Sequence, residues 1–536
     1  MQSPVQSLVL PLLLTTLAIL AACGGGSEGP PPLPKPAVGS VSGTVSDPQG
    51  RPLGRVSVMA SGTRSELTST DDAGKFQLTT LPAGPYSLSF SLEGYEDSTL
   101  AVQVPADWDI HILVKMIPVA PPIGAISGQV SDSFGTLLTG VTVVASGAGQ
   151  GFTSTNAAGQ FQFLGLPAGS YSLNFSLDGF ESRSEATQVN GGQTTRLQVQ
   201  LAPQSLPSAG TRGVRITSHG STRLEFEVDV LVLHANGTPL GGLGSGAFTL
   251  RDFADLHFER LGLSAQPGTD VGPYSAVLLM DQSASILSTD PTDSRIQAGK
   301  IFFQALSAPD TAQLSAFASG GLLPYAPITL WGSFTSAGSS FYGSLDTLAH
   351  LEGGGTPLYA STAALVEHVT SQGHNPNRAV VVFTDGEDTD GSWSLQNVIS
   401  LARSRNVKLF TVGLSNGINF QVLSQMAAQT QGAMLWASDA RQLISIYGSL
   451  GNLLRGAAQF YRTRWSATRS SGTWTAGTWF SMSVEVQTPS GLLSAPFYVE
   501  IPSSGLLPQV TPNPLDGASC RTGPATGNRP VLCLAQ

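Results

Sequence analysis

Charge is scarce in this chain. Asp, Glu, Lys and Arg make up only 12% of its 536 residues, and the net charge is −10. No block of Lys or Arg stands out. The densest basic stretch is Arg462, Arg464 and Arg469, interleaved with Tyr461 and Trp465. Arg462 and Arg464 alternate as they would on a strand, which reads as a solvated strand face and argues against nucleic acid as a partner. Histidine is also sparse. None of the seven histidines has Glu three residues later, and no His-Glu-x-x-His occurs, so the zinc-peptidase pattern is missing. No local motif supports a Ser-His-Asp arrangement. Gly353-Gly354-Gly355-Thr356-Pro357 is followed by no Lys, which excludes a phosphate loop. The chain is therefore expected not to be an enzyme, and catalytic residues are assigned to none. Long apolar runs are absent with one exception, Val5 to Ala22; no other segment is long and apolar enough to span a bilayer.

What is abundant is turn chemistry. There are 61 glycines and 35 prolines, a mix that suggests β-rich modules with many turns. The length allows three to five domains.

The run Val5 to Ala22 includes Pro11 and leads into Leu20-Ala21-Ala22-Cys23. It reads as a secretory apolar segment followed by small residues. Leu-Ala-Ala-Cys resembles the lipobox of bacterial lipoproteins, which implies that Cys23 is acylated and becomes the mature N-terminus. Met1 to Pro4 carries no Lys or Arg, a departure from that pattern, and an ordinary signal peptide or membrane anchor is the other reading. By analogy with Gram-negative lipoproteins, Gly24 after the cysteine implies the outer membrane. The expected location is thus an exported, membrane-anchored lipoprotein at the periplasmic face or the cell surface. Cys520 and Cys533 remain; in a Pro/Gly-rich tail they form either a small disulfide loop, worth roughly 3 kcal/mol by loop entropy, or two free thiols. Residues 24–38 read as a Gly/Pro-rich tether reaching at most on the order of 40 Å.

An internal repeat follows. Gly39 to Met116 aligns without a gap on Gly124 to Leu201 at an offset of 85. Val45-Ser46-Asp47 matches Val130-Ser131-Asp132, and Leu81-Pro82-Ala83-Gly84 matches Leu166-Pro167-Ala168-Gly169. Tyr86, Leu88, Phe90 and Leu92 alternate with serines, the period of a half-buried strand. Asp47-Pro48-Gln49-Gly50 and Asp71-Asp72-Ala73-Gly74 read as turns. Each copy is expected to be a small β-sandwich. The pattern Gly43-x-Val45, Gly74-x-Phe76, Leu81-Pro82-x-Gly84-x-Tyr86 and Gly94-Tyr95 resembles the carboxypeptidase regulatory-like domain, a transthyretin-like sandwich. The copies read as spacers, with carbohydrate or protein contact as the other reading.

The middle of the chain carries the chemistry. Asp281, Ser283 and Ser285 form Asp-x-Ser-x-Ser after the apolar run Ala276 to Met280; Thr356 follows three glycines; Asp385 closes the run Ala379 to Thr384. Short apolar runs separated by helical spacing read as buried parallel strands, and ligands gather at the carboxyl ends of such strands. Helical spacing marks Ala298 to Leu306, Leu358 to Thr370, Leu395 to Arg405 and Ala440 to Leu454. Strands are expected near Gln313 to Phe317, Arg378 to Thr384, Lys408 to Val412 and Ala433 to Ala437. This alternation predicts a doubly wound parallel sheet. The five side chains can then meet in one site. All five donors are oxygens, which favours Mg²⁺, with Mn²⁺ or Ca²⁺ also open, over zinc or copper. Three are neutral hydroxyls, so the cation is under-neutralised and an incoming carboxylate gains both charge and coordination. Asp385-Gly386-Glu387-Asp388-Thr389-Asp390-Gly391 lacks the spacing of a calcium loop and reads as the rim of this site. His350 and His368 are expected on helix or loop surfaces.

Asp281-Gln282-Ser283-Ala284-Ser285, Gly355-Thr356-Pro357 and Thr384-Asp385-Gly386 resemble the metal-ion-dependent adhesion site of the von Willebrand factor type A domain. Asp290-Pro291 and Arg295 extend the likeness, as in many bacterial members, and the match spans about Gly272 to Leu454. The resemblance implies a Rossmann-like fold in which Ser283, Ser285 and Thr356 contact the metal directly or through water. Asp281 and Asp385 would act largely through water while orienting the serines. It implies a protein ligand that presents an acidic side chain. A metal-free domain of the same fold is the alternative on this resemblance.

The chain is thus expected to be multidomain: signal peptide 1–23, tether 24–38, β-sandwiches 39–120 and 121–205, a β-rich segment 206–268, an α/β domain 269–455, a second β-rich segment 456–505 and a tail 506–536. The two β-rich flanks are expected to pair into one sandwich with the α/β domain inserted between them. The function expected is that of an envelope-anchored lipoprotein binding a protein ligand through the metal. The alternative is an assembly scaffold whose metal stabilises the fold.

Overall fold

The computed structural model describes residues 37–320, 322–324, 327–501 and 533–535. The expected lipidation residue Cys23, the cysteine Cys520 and the side chain of Cys533 lie outside the described residues. Among the described residues no helix is long and apolar enough to cross a membrane. The chain divides into two compact units, 1–121 and 122–536.

The first unit is a two-sheet sandwich. Val38–Ser46 lies between antiparallel Lys75–Pro82 and parallel Asp109–Lys115. The facing sheet runs Glu66–Ser69, Ser57–Gly62, Gly84–Ser91, Ser98–Val104. Alternation sends Tyr86, Leu88 and Phe90 inward to meet Val41, Val45, Phe76 and Leu78. A Cβ on Gly43 would lie 2.6 Å from the Phe76 ring and 2.5 Å from the Ile112 carbonyl oxygen, so the close approach of three strands requires glycine there.

The second unit opens with the same plan. Ile123–Asp132 is flanked by Gln160–Pro167 and Thr194–Leu201, opposite a four-stranded sheet. Gly128 repeats the close approach, 2.6 Å from the Phe161 ring.

The rest of this unit is built on one long mixed sheet. Five strands are parallel, in the order Met434–Ala437, Val407–Leu414, Asn377–Thr384, Tyr274–Asp281, Thr311–Phe317. The sheet is not wholly parallel, because Ile328–Thr335 returns antiparallel on Thr311–Phe317. A three-residue strand, Cys533–Ala535, follows at that edge. Among the described residues seven helices accompany the sheet: α1 (Ile286–Thr289), α2 (Ser294–Gln304), α3 (Tyr342–Leu348), α4 (Leu358–Gln372), α5 (Leu395–Ser404), α6 (Phe420–Gln429) and α7 (Gln442–Leu454). Each apolar strand feeds two cores. Ala276, Leu278 and Met280 pack with α2, α3 and α7, while Val277 and Leu279 pack with α4, α5 and α6. Continuous apolar runs, rather than alternating ones, are what a sheet covered on both faces needs.

The flanks complete the sheet. Ser208–His219 pairs antiparallel with Met434–Ala437 and with Arg223–Leu233, which pairs with Phe460–Arg469, which pairs with Leu256–Gln266. A second sheet of Phe248–Thr249, Trp479–Thr488 and Gly491–Glu500 closes over it, around Phe226, Trp465, Phe480 and Phe497. Residues from both sides of the α/β segment thus share one core. The Arg462 and Arg464 face is not simply solvated. Arg462 pairs with Asp229 at 2.8 Å and Arg464 with Glu227 at 3.4 Å, a cross-strand ion-pair ladder. The Asn236-Gly237 turn closes a single bridge, Leu233 to Pro239.

The second sandwich is fastened to the α/β segment by a buried ion pair. Lys300 on α2 and Asp132 on the sandwich are both fully buried, with Nζ 3.2 Å from the carboxylate. Gln297 donates to the same oxygen at 3.1 Å. Asp346 pairs with Lys300, and Phe134 packs edge-on against Tyr342 with centroids 5.2 Å apart. In the first repeat the matching Asp47 accepts from the backbone of Arg51, and Gln49 stands where the second has Phe134.

Candidate metal centre

The chain runs from Tyr274–Asp281 to Thr311–Phe317 on one side, then returns to Asn377–Thr384 on the other. The strand order reverses at that point, and a crevice opens beyond the strand ends. Asp281 ends one of these strands, and Asp385 immediately follows the other.

The five expected residues meet there. Asp281 is fully buried; it accepts the Ser283 amide at 2.8 Å and the Thr384 hydroxyl at 2.6 Å. Ser283 Oγ lies 3.1 Å from Ser285 Oγ, and Ser285 donates to Asp385 at 2.7 Å. Thr356 arrives on the loop before α4. That loop is tied to the first motif by Gly353 N–H to Gln282 O at 2.8 Å and Ala284 N–H to Gly354 O at 3.1 Å. A Cβ on Gly386 would sit 3.7 Å from Thr356 Oγ1 and 3.9 Å from Ser285 Oγ, so the two hydroxyls lie within reach of one point. Ser285 is exposed while Asp281, Ser283, Thr356 and Asp385 are buried. The cluster is therefore open on one side only.

Charge here is unbalanced. Burial, with the neighbouring Asp385 adding to it, pushes the Asp281 carboxyl up to about 7, against the opposing pull of its Thr384 and Ser283 hydrogen bonds. The hydrogen-bond donors to these two carboxylates are hydroxyls and an amide. Among the described residues no basic side chain pairs with either, and two buried carboxylates so placed favour an added cation. Five oxygen donors, three of them neutral, fit a hard divalent ion. No group of three or more His, Cys, Asp or Glu residues suited to a metal occurs among the described residues. The hydroxyls are thus indispensable to this donor set.

Three threonines have roles that the sequence reading did not assign. Thr289 on α1 donates to the second Asp385 oxygen at 2.6 Å, Thr384 holds Asp281, and Thr389 accepts the Thr356 amide at 2.7 Å. Only the Thr384 position, next to Asp385, carried any signal in sequence. Arg295 is a structural hub behind the site. It is fully buried, pairs with Asp290 at 3.1 Å, Asp293 at 2.7 Å and Glu352, and reaches Gln282 at 3.4 Å. It thereby joins α2 to both the first motif and the loop before Thr356. His350 is exposed. His368 is not a surface residue: it is half-buried on α4 and hydrogen-bonded to Gln313 at 2.7 Å.

Comparison with known proteins agrees with this architecture. The carboxypeptidase regulatory-like domain family matches residues 40–115 and 125–202, and the von Willebrand factor type A domain family matches residues 276–448. No curated protein sequence matches the chain. Among solved structures it is similar to the Bacillus anthracis TIE protein (15% identity, 40% of this chain and 47% of that one, TM-score 0.25). It is also similar to a von Willebrand factor type A protein from Catenulispora acidiphila (10% identity, 57% and 78%, TM-score 0.30). A third is proximal thread matrix protein 1 from the mussel byssus with a zinc-occupied metal-ion-dependent adhesion site (17% identity, 38% and 50%, TM-score 0.29). The chain spans about half the length of the first and third of these.

Proposed function

We propose that this chain, which contains two carboxypeptidase regulatory-like domains and a von Willebrand factor type A domain, is a non-enzymatic binding protein of the cell envelope. It takes an acidic side chain of a protein partner onto a divalent cation. Ser283, Ser285 and Thr356 would hold the ion, with Asp281 and Asp385 orienting them. The ion would supply a Lewis-acidic contact for the partner's carboxylate. Anchorage through Cys23 would hold the protein at the membrane.

The observation that carries this reading is the buried, unbalanced pair Asp281 and Asp385, opened to solvent beside Ser285. The carboxylates would draw a cation, and the exposed side at Ser285 would leave room for an anion. The test is capture from envelope extracts in Mg²⁺, followed by release with chelator. Thr356→Ala is the informative variant, because its backbone bonds to Thr389 persist. Mg²⁺-dependent capture lost in Thr356→Ala supports the reading. Equal capture with and without chelator removes it.

A further inference from the structure

Beside the metal cluster lies a cavity of about 150 Å³. Gly386 lines it and also borders the hydroxyls of Thr356 and Ser285, so the two sites share a wall. Leu358, Tyr359, Trp393 and Leu423 form its apolar and aromatic walls, and Asn419 adds a neutral polar group. Trp393 is nearly buried, at 6% exposure. Glu387 and Asp388 also line the cavity. Asp388 is fixed in place; its two oxygens accept the Tyr359 amide at 2.9 Å and the Gly391 amide at 3.0 Å. A carboxylate offers about four acceptor positions, so each oxygen keeps one free. Glu387 is exposed. Burial raises the Tyr359 phenol, and the Asp388 and Glu387 charges add to that effect, which places the ring in the field of both.

Aromatic walls beside two carboxylates suit a particular side chain. An aliphatic stem packs on Tyr359 and Trp393 while its cation meets the carboxylates, and the ring faces favour the cation as well. A purely apolar side chain would desolvate the carboxylates with no compensation. An acidic one would be repelled. We propose that this cavity receives a Lys or Arg side chain of the partner, a few residues from the acidic side chain held at the metal. The partner is then a protein segment carrying a base and an acid in close succession. This rests on the metal-bridged reading above and adds the second half of the ligand.

The full-length chain labelled with 5-fluorotryptophan gives the test. It holds seven tryptophans, and Trp393→Phe assigns the resonance of interest. Acetyl-lysine methylamide should shift the Trp393 signal, while the norleucine and glutamate analogues should not. No shift with lysine, or an equal shift with norleucine, overturns the proposal. Capped peptides bearing Asp plus Lys, or Asp plus norleucine, are then compared in saturating Mg²⁺. The Lys peptide should bind about ten-fold more tightly, and that ratio should fall in Glu387→Gln and approach one when Asp388→Asn is added. A ratio of one in the parent chain overturns the cavity while sparing the metal. Affinities indifferent to Mg²⁺ and chelator, with the lysine-induced Trp393 shift intact, overturn the metal reading and leave the cavity standing.

Discussion

Thr289 shows how much of the centre depends on residues outside the three motifs. Its hydroxyl holds the Asp385 oxygen that Ser285 does not. Groups that orient a metal ligand typically change affinity by 10–100-fold when removed. Thr289→Val should therefore weaken Mn²⁺ binding about ten-fold or more by calorimetry, and unchanged affinity would deny it that role. His368 gives a separate, pH-dependent signal. Burial lowers its pKa from 6.5 to about 4, so the folded chain holds it neutral. Between those values the unfolded chain binds more protons. The contribution is thus fully present above about pH 6.5 and is lost as pH falls towards 4. The melting temperature should drop over that window, and His368→Gln should flatten the drop. The five motif residues were legible because Asp281 and Asp385 close apolar runs and Thr356 follows three glycines. Thr289 and Thr389 were not, since a threonine acquires its partner only when distant loops meet.

α2 is the element through which the second sandwich and the metal loops are joined. Its first turn carries Arg295, tied to Gln282 and Glu352; its middle carries Lys300, tied to Asp132. Breaking a buried ion pair by removing one partner costs about 3–5 kcal/mol, because the other charge is left unpaired. Lys300→Ala should destabilise the unit by that order, and Lys300→Met paired with Asp132→Asn should recover a good part. Equal unfolding midpoints for the parent and Lys300→Ala would contradict the lock. Helices α4, α5 and α7 were read within a few residues from apolar spacing. α6 was missed, although Asn419 caps it by accepting the Val422 amide at 3.2 Å. The antiparallel strand Ile328–Thr335 was missed as well, because its buried residues come in one block, Ile328 to Trp331, and leave no clean alternation.

At the level of the whole molecule, two copies of one repeat serve different ends. Each copy has its own core, and residues 37–121 expressed alone should melt cooperatively. The second presents Phe134 and a buried Asp132 to α2 and α3. Residues 122–205 alone should be less stable than the same module in the intact chain, as read by hydrogen exchange at its turn 132–136. Equal protection would contradict this specialisation. The sequence shows the repeat, and even the exchange of Gln49 for Phe134, but no local pattern says that the second copy packs on α2 and α3. The same holds for Ser208–His219 pairing with Met434–Ala437, since strands that distant in sequence carry no shared signature.

Counting bound ions speaks most directly to the central claim. The purified full-length chain, equilibrated with Mn²⁺ or Mg²⁺ and freed of loose ion, should hold one divalent cation by elemental analysis, and Thr356→Ala should hold far less at the same free concentration. A folded parent chain with none, or a Thr356→Ala variant that retains the full complement, would contradict the account.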